Sequence, residues 1–185
     1  MIPSLVNHFL IAMPGLDDSY FERSLIYICE HNEKGAMGLV LNIPLELDLY
    51  QLLSQMKLEN ASYSLAGQPV LSGGPVHTDR GFVLHTPMER FNASITVSED
   101  IMMTTSLDIL STLGTSAEPK QYVIALGYAG WDAGQLEDEL KENSWLTVPA
   151  STDIIFDIPA EHKWEAATQM LGFDIWQMAP QVGHA

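Results

Sequence analysis

A chain of 185 residues with 46% hydrophobic content matches one globular domain, and folding at that length removes roughly 70% of the unfolded chain's surface from water. Its 8 basic residues against 24 acidic ones give a formal charge of -16, and the cations (Arg23, Lys34, Lys57, Arg80, Arg90, Lys120, Lys141, Lys163) are never adjacent. Without a basic stripe to displace the counterions of a phosphate backbone, direct nucleic-acid binding is disfavoured. No run approaches the ~18 apolar residues of a membrane span, and the apolar start, Phe9 to Met13, lacks the basic flank and small-residue cleavage site of a secretory signal. The single cysteine, Cys29, excludes an internal disulfide and fits a reducing compartment, so the expected location is the cytoplasm and no membrane contact is expected.

The first predicted element is Asn7 to Met13, a continuous apolar run of the kind a strand buried on both faces requires, ending at Pro14-Gly15 and an Asp17-Asp18-Ser19 turn. Ser24 to Glu30 and Ala36 to Leu41 are two β-rich runs joined by the His31–Gly35 loop, which reads as a hairpin. Asp48 with Gln51 forms a capping box in front of Leu49, Leu52, Leu53 and Met56, the spacing of a short amphipathic helix. The polar stretch Asn60 to Gln68 is too short to be an interdomain linker, so residues 1–185 read as a single domain. Strands are predicted at Pro69–Leu71, Gly81–His85 after the Ser72–Pro75 turn, and Ile95–Val97.

Thr105 and Asp108 form a second possible capping box, opening a helix that Gly114 would stop. Tyr122–Leu126 reads as a buried strand, Gly127–Gly134 as a glycine-spaced turn, Leu136 to Leu140 as a helix and Trp145–Val148 as a strand. Strand, helix, strand permits parallel pairing, whereas the earlier hairpin is antiparallel, so the sheet should be mixed. Ile154–Phe156 adds a short strand, and Glu161–Leu171, with Trp164, Ala167 and Leu171 on one side, a last helix stopped by Gly172. The fold class is α/β (α+β): one compact domain, a mixed sheet flanked by helices.

Several ordered motifs carry a family resemblance: Arg23 to Tyr27, Glu30-His31, Gly35 to Val40, Gly73 to Val76, Asp79 to His85, Gly127 to Trp131, Gly134 to Glu137 and Asn143 to Leu146. Taken with Pro14-Gly15 and the closing Gly183-His184-Ala185, they span nearly the whole chain, which resembles the AlgH/YqgE family. The resemblance implies a mixed sheet flanked by helices and a role as a regulator of transcription, and it supplies no catalytic residues to carry over.

Candidate sites come from the residues themselves. The Gly127–Gly134 segment precedes a helix start, where exposed N–H groups attract anions, yet it lacks the Lys and Ser/Thr of a P-loop and already carries Glu137, Asp138 and Glu139. Tyr128, Trp131 and Gln135 on that segment are candidate walls of a ligand pocket, against the plainer reading that Trp131 covers the sheet end. Gly73 and Gly74 with Asp79 and Arg80 form a second candidate, in which Asp79 and Arg80 either anchor the turn or hold a ligand. Cys29 and His31 supply only two potential metal ligands, and the remaining histidines show no ligand spacing, so neither a metal nor another cofactor is expected. No Ser sits in a G-x-S-x-G elbow, and no catalytic residue is assigned.

Three functions compete. A binding or regulatory module would hold a small ligand or a partner protein in a cleft formed by the Pro14 turn, the Gly73 loop and the Gly127 turn. A hydrolase would use Glu30, Asp79 or Glu137 as proton carriers in the same cleft. A DNA-binding regulator would need cationic residues that the sequence scatters. The first asks for no residue the chain lacks.

Overall fold

In a computed structural model, residues 3–14 and 23–172 are described. The Gly15 half of the Pro14-Gly15 turn, Asp17-Asp18-Ser19, and Gly183-His184-Ala185 lie outside them.

The strands are β1 His8–Ala12, β2 Leu25–Asn32, β3 Gly35–Val40, β4 Pro44–Asp48, β5 Pro69–Ser72, β6 Val76–His85, β7 Ser94–Thr96, β8 Met102–Thr104, β9 Tyr122–Asp132 and β10 Trp145–Pro149. The helices are α1 Leu49–Gln55, α2 Leu107–Leu110, α3 Gln135–Lys141, α4 Thr152–Phe156 and α5 Ala160–Gln169. The sheet runs β10-β1-β2-β3-β9-β6-β8-β7, with β5 pairing β9 and carrying β4 on its other side. All pairings are antiparallel except β5 with β9. The mixed sheet is therefore as expected, but its parallel pair is not the one the β9–α3–β10 crossover suggested. After α3 the chain reaches the far edge, where β10 pairs antiparallel with β1.

Strand alternation sorts the apolar residues into three clusters. An inner core gathers Phe9, Ile11, Tyr27, Leu39, Phe82, Leu84 and Ala125 with residues of α4 and α5, including Ile155 and Trp164. On another face, Leu49, Leu53, Val83, Ile109 and Ile124 bury α1 and α2, and a third cluster packs Leu10, Ile26, Ala129 and Trp131 against Leu136 of α3. Burial of β1 is complete from Phe9 to Ala12, as its unbroken apolar run requires.

Locally encoded features appear where the sequence puts them. The Asp48 carboxylate accepts from the Gln51 backbone N–H at 2.8 Å, and the Gln51 side chain accepts from Asp48 N–H at 2.9 Å, closing the capping box of α1. Three expectations are corrected. Ile154–Phe156 belongs to helix α4, because a three-residue apolar run fits either a strand or a buried helix turn and the packing of α4 against α5 decides it. Helix α2 starts from Ser106, and its hydroxyl donates to the Asp108 carboxylate, so no Thr105–Asp108 capping box forms. Most consequentially, Gly127–Gly134 is not a turn: β9 continues through Gly127 to Asp132, and only residues 133–134 turn into α3.

Gly127 makes that continuation possible. It holds φ +81, and a Cβ there would sit 2.4 Å from the Gly74 carbonyl oxygen. The chain leaving β5 crosses over β9 at this point, so that a Cβ on Gly73 would lie 2.3 Å from the Gly127 oxygen. Along β9, residues 122–126 pair with β6 on one side while 124–126 pair with β5 on the other; residues 129–132 pair with β3 alone.

One end of the curled sheet is plugged by α4 and α5. The Trp164 indole N–H donates to the Ala12 carbonyl at 3.2 Å, and the buried Lys163 ammonium donates to the Ile154 and Ile155 carbonyls at the end of α4, each at 2.5 Å. Burial holds the Lys163 pKa down at about 8, partly opposed by the Asp157 carboxylate. Among the described residues no helix is long and apolar enough to cross a membrane.

Candidate functional site

The opposite end of the sheet is open, and a trough of about 790 Å³ lies there, within the ~300–1,000 Å³ range of ligand clefts. One wall is built in register across three strands: Glu30 of β2 stands opposite Met37 of β3, which stands opposite Gly130 of β9, with Gly35 opposite Asp132 one row further. The other wall comes from Arg80 of β6, Met103 of β8, and Asn92 to Ile95 at β7.

The floor is aromatic. Tyr128 meets Phe82 edge to face at 5.6 Å between ring centroids and lies 5.9 Å from the His77 ring. The Arg80 guanidinium sits 5.8 Å from the centroid of the Phe82 ring, a cation–π contact between two residues of the trough lining. Arg80 and Phe82 are two residues apart on one strand and so share a face. The carboxylates at the rim are those of Glu30 and Asp132, both exposed.

The seven residues selected from sequence divide cleanly. Arg80, Tyr128 and Trp131 line the trough. Trp131 does so at the edge of its own cluster: its indole is buried against Trp145, ring centroids 6.4 Å apart, and donates to Glu139 at 3.1 Å. Asp79, out of phase with Arg80, opens instead to a separate 190 Å³ pocket with Gly81 and Val83. Gln135 staples the start of α3, accepting from Asp132 N–H at 2.9 Å and donating to Glu139 at 2.9 Å. Gly73 and Gly74 do meet the Gly127 segment, but as backbone on backbone: a Cβ at Gly74 would fall 2.1 Å from the Tyr128 carbonyl carbon. The expected cleft between these two segments is thus filled by the chain itself.

The three proposed proton carriers do not share a cleft. Glu30 is on the trough rim, Asp79 faces the separate pocket, and Glu137 lies 3.5 Å from His31. The Nδ1 of His31 accepts from Leu5 N–H at 2.9 Å, which puts the ring proton on Nε2, facing Glu137. Cys29 is buried in the inner core, where burial and the nearby Glu30 push its thiol pKa up. Because Cys29 points into that core and His31 is tied to Leu5, the two do not form a ligand pair. Among the described residues no three His, Cys, Asp or Glu side chains gather to hold a metal ion.

A buried polar chain stiffens the β6–β8–β7 wall. His85 Nδ1 lies 2.8 Å from the Thr86 carbonyl and must donate to it, so Nε2 accepts from the Thr104 hydroxyl at 2.7 Å. With its proton so committed, Thr104 accepts from Ser94 at 2.6 Å. Burial lowers the His85 pKa and keeps the ring neutral.

Sequence reasoning missed Phe82, Met37, Met103 and Gly130. Phe82 was within reach, since strand alternation from Arg80 selects it. The other three become neighbours only through the register of β3, β8 and β9.

Comparison with known proteins agrees with the fold. The AlgH-like family profile matches residues 9–176. A UPF0301 protein of Shewanella woodyi is 53% identical over 184 residues, covering 98% of this chain and 99% of the relative. The solution structure of the AlgH protein from Pseudomonas aeruginosa is 42% identical and superposes with a TM-score of 0.79, each chain covered completely. Protein DIP2367 of Corynebacterium diphtheriae, at 18% identity and a TM-score of 0.70 over 91% of this chain and 87% of that one, shares the fold alone. On the family match and these identities, the chain belongs to the AlgH-like family.

Proposed function

We propose that this protein is a binding module that holds a small ligand or a segment of a partner protein in the open-end trough, with any regulatory effect passing through that partner and not through direct contact with DNA. The observation that carries the reading is the convergence of Arg80, Phe82 and Tyr128 on one concave surface, an aromatic floor with one cation. The placement of the arginines supports the exclusion of DNA. Arg23 stacks near Trp164 at the plugged end, Arg80 lies in the trough, and Arg90 lies over Phe91 of the outer cluster around α1 and α2. Lys163 is buried. Such a distribution gives little counterion release on a phosphate backbone.

A thermal-shift screen of metabolites, nucleotides and short peptides tests this, because a ligand bound only to the native state stabilises it by mass action, about 2.7 kcal/mol at a hundred times its Kd. A trough ligand should raise Tm in the wild type and lose most of that shift in Tyr128→Ala. A ligand whose shift survives Arg80→Gln and Tyr128→Ala would place binding elsewhere. Saturable, sequence-dependent DNA binding at submicromolar protein and low salt would overturn the exclusion of DNA.

A further inference from the structure

The distal half of β9 has an unpaired side. In β3, the Leu41 N–H donates to the Leu25 carbonyl at 2.9 Å and the Val40 N–H to Gly73 on the opposite side at 2.8 Å. Alternation from these two anchors turns the backbone groups of Gly38 and Ala36 toward β9, so their partners Ala129 and Trp131 form the hydrogen-bonded pairs of that ladder. Gly130, opposite Met37, then has its N–H and C=O directed away from β3. An independent bond agrees: the Asp132 N–H, two residues on and of the same phase, is taken by the Gln135 side chain and not by β3.

On that outer side the pairing with β6 ends at Tyr128 opposite Val76, and among the described residues no strand pairs with Gly130 there. Gly130 is exposed, lines the trough, and would meet only the Tyr128 ring if it carried a Cβ. An aligned donor and acceptor on an open strand edge, beside an apolar floor, is the geometry that takes up an extended peptide by main-chain pairing.

We infer that the trough's occupant is an extended, cationic segment of a partner protein, which adds as a strand beside Gly130 and lays alternate apolar side chains on the Phe82–Tyr128 floor. The positive charge follows from the exposed Glu30 and Asp132 carboxylates, which outnumber Arg80, the one cation lining the trough, and from a formal charge of -16 on the chain, which draws cationic segments and repels acidic ones. This inference rests on the trough being the binding site, and the test separates the two.

The probe is a capped seven-residue peptide alternating valine with lysine, titrated into the full-length, 15N-labelled protein. Two further versions carry N-methyl groups on alternate amides, one set on the odd positions and one on the even. Strand addition predicts shifts at Gly130, Phe82 and Tyr128, a loss of about tenfold in affinity for one methylated frame, and a change within about twofold for the other. Replacing the lysines by glutamates should weaken binding at least about fivefold. Equal binding of both frames, with shifts still confined to the trough, overturns strand addition while leaving the trough as the site, as a small ligand would. Shifts confined to other surfaces overturn both readings, and no binding at millimolar peptide overturns the strand-addition inference.

Discussion

The two ends of the curled sheet are built by opposite rules, and β9 runs from one to the other. At the plugged end Val123 packs against the inner core that holds residues of α4 and α5, Lys163 satisfies the carbonyls ending α4, and the Tyr122 hydroxyl, its pKa pushed up to about 12 by burial, bonds Gln68 at 3.0 Å. At the open end the same strand offers Tyr128 and Gly130 to a trough and pairs on one side only. Here the sheet is closed by helices at one end and left incomplete at the other, and incompleteness is where a ligand or partner strand can enter. Gly127 marks the boundary.

The comparison breaks most sharply at that boundary. Gly127→Val sets a branched side chain at φ +81 against the Gly74 carbonyl and should cost about 3 kcal/mol or more in chemical denaturation. A loss under about 1 kcal/mol would mean that the two halves of β9 are not locked by this crossing. Next in size, Trp164→Ala at the plugged end removes a buried indole with its bond to Ala12 and should cost about 3 kcal/mol by the same measurement.

Lys163 gives a smaller, pH-dependent effect. Its folded pKa of about 8 lies below its ordinary value of 10.5, so between these the unfolded chain binds more protons and stability rises with pH. Cys29 has the opposite sign, because burial raises its pKa from an ordinary 9.0 and the unfolded thiol ionises first. Between pH 8 and 9 Lys163 contributes a rise of about 1 kcal/mol and the thiol offsets a few tenths of it, so stability should rise in the wild type and fall slightly in Lys163→Met. Smallest of all, Gly130→Ala at the open end should change stability by less than about 0.5 kcal/mol, since a Cβ there meets only the Tyr128 ring at 3.4 Å or beyond.

Legibility in the sequence followed the range of the interaction. The Asp48–Gln51 capping box, the buried run of β1 and the hairpin of β2 and β3 are written in neighbouring residues, and each was read correctly. Gly127 to Gly134 misled because closely spaced glycines ordinarily punctuate turns, whereas here Gly127 lets another segment cross the strand at backbone distance. Ile154–Phe156 was too short for periodicity to decide. The site was only partly legible. Arg80 and Tyr128 stood out as chemistry-bearing residues, but the walls they share with Met37, Met103 and Gly130 arise from pairings between segments tens of residues apart.

Amide hydrogen exchange along β9 in the free protein tests the open end most directly. The account predicts that Gly130 exchanges at least about a hundredfold faster than Ala129 and Trp131 on either side of it, and faster still than Ile124 and Ala125 in the doubly paired half. Protection at Gly130 equal to that of Ala125 would mean that the edge is already covered, and the trough would lose its claim to an incoming strand.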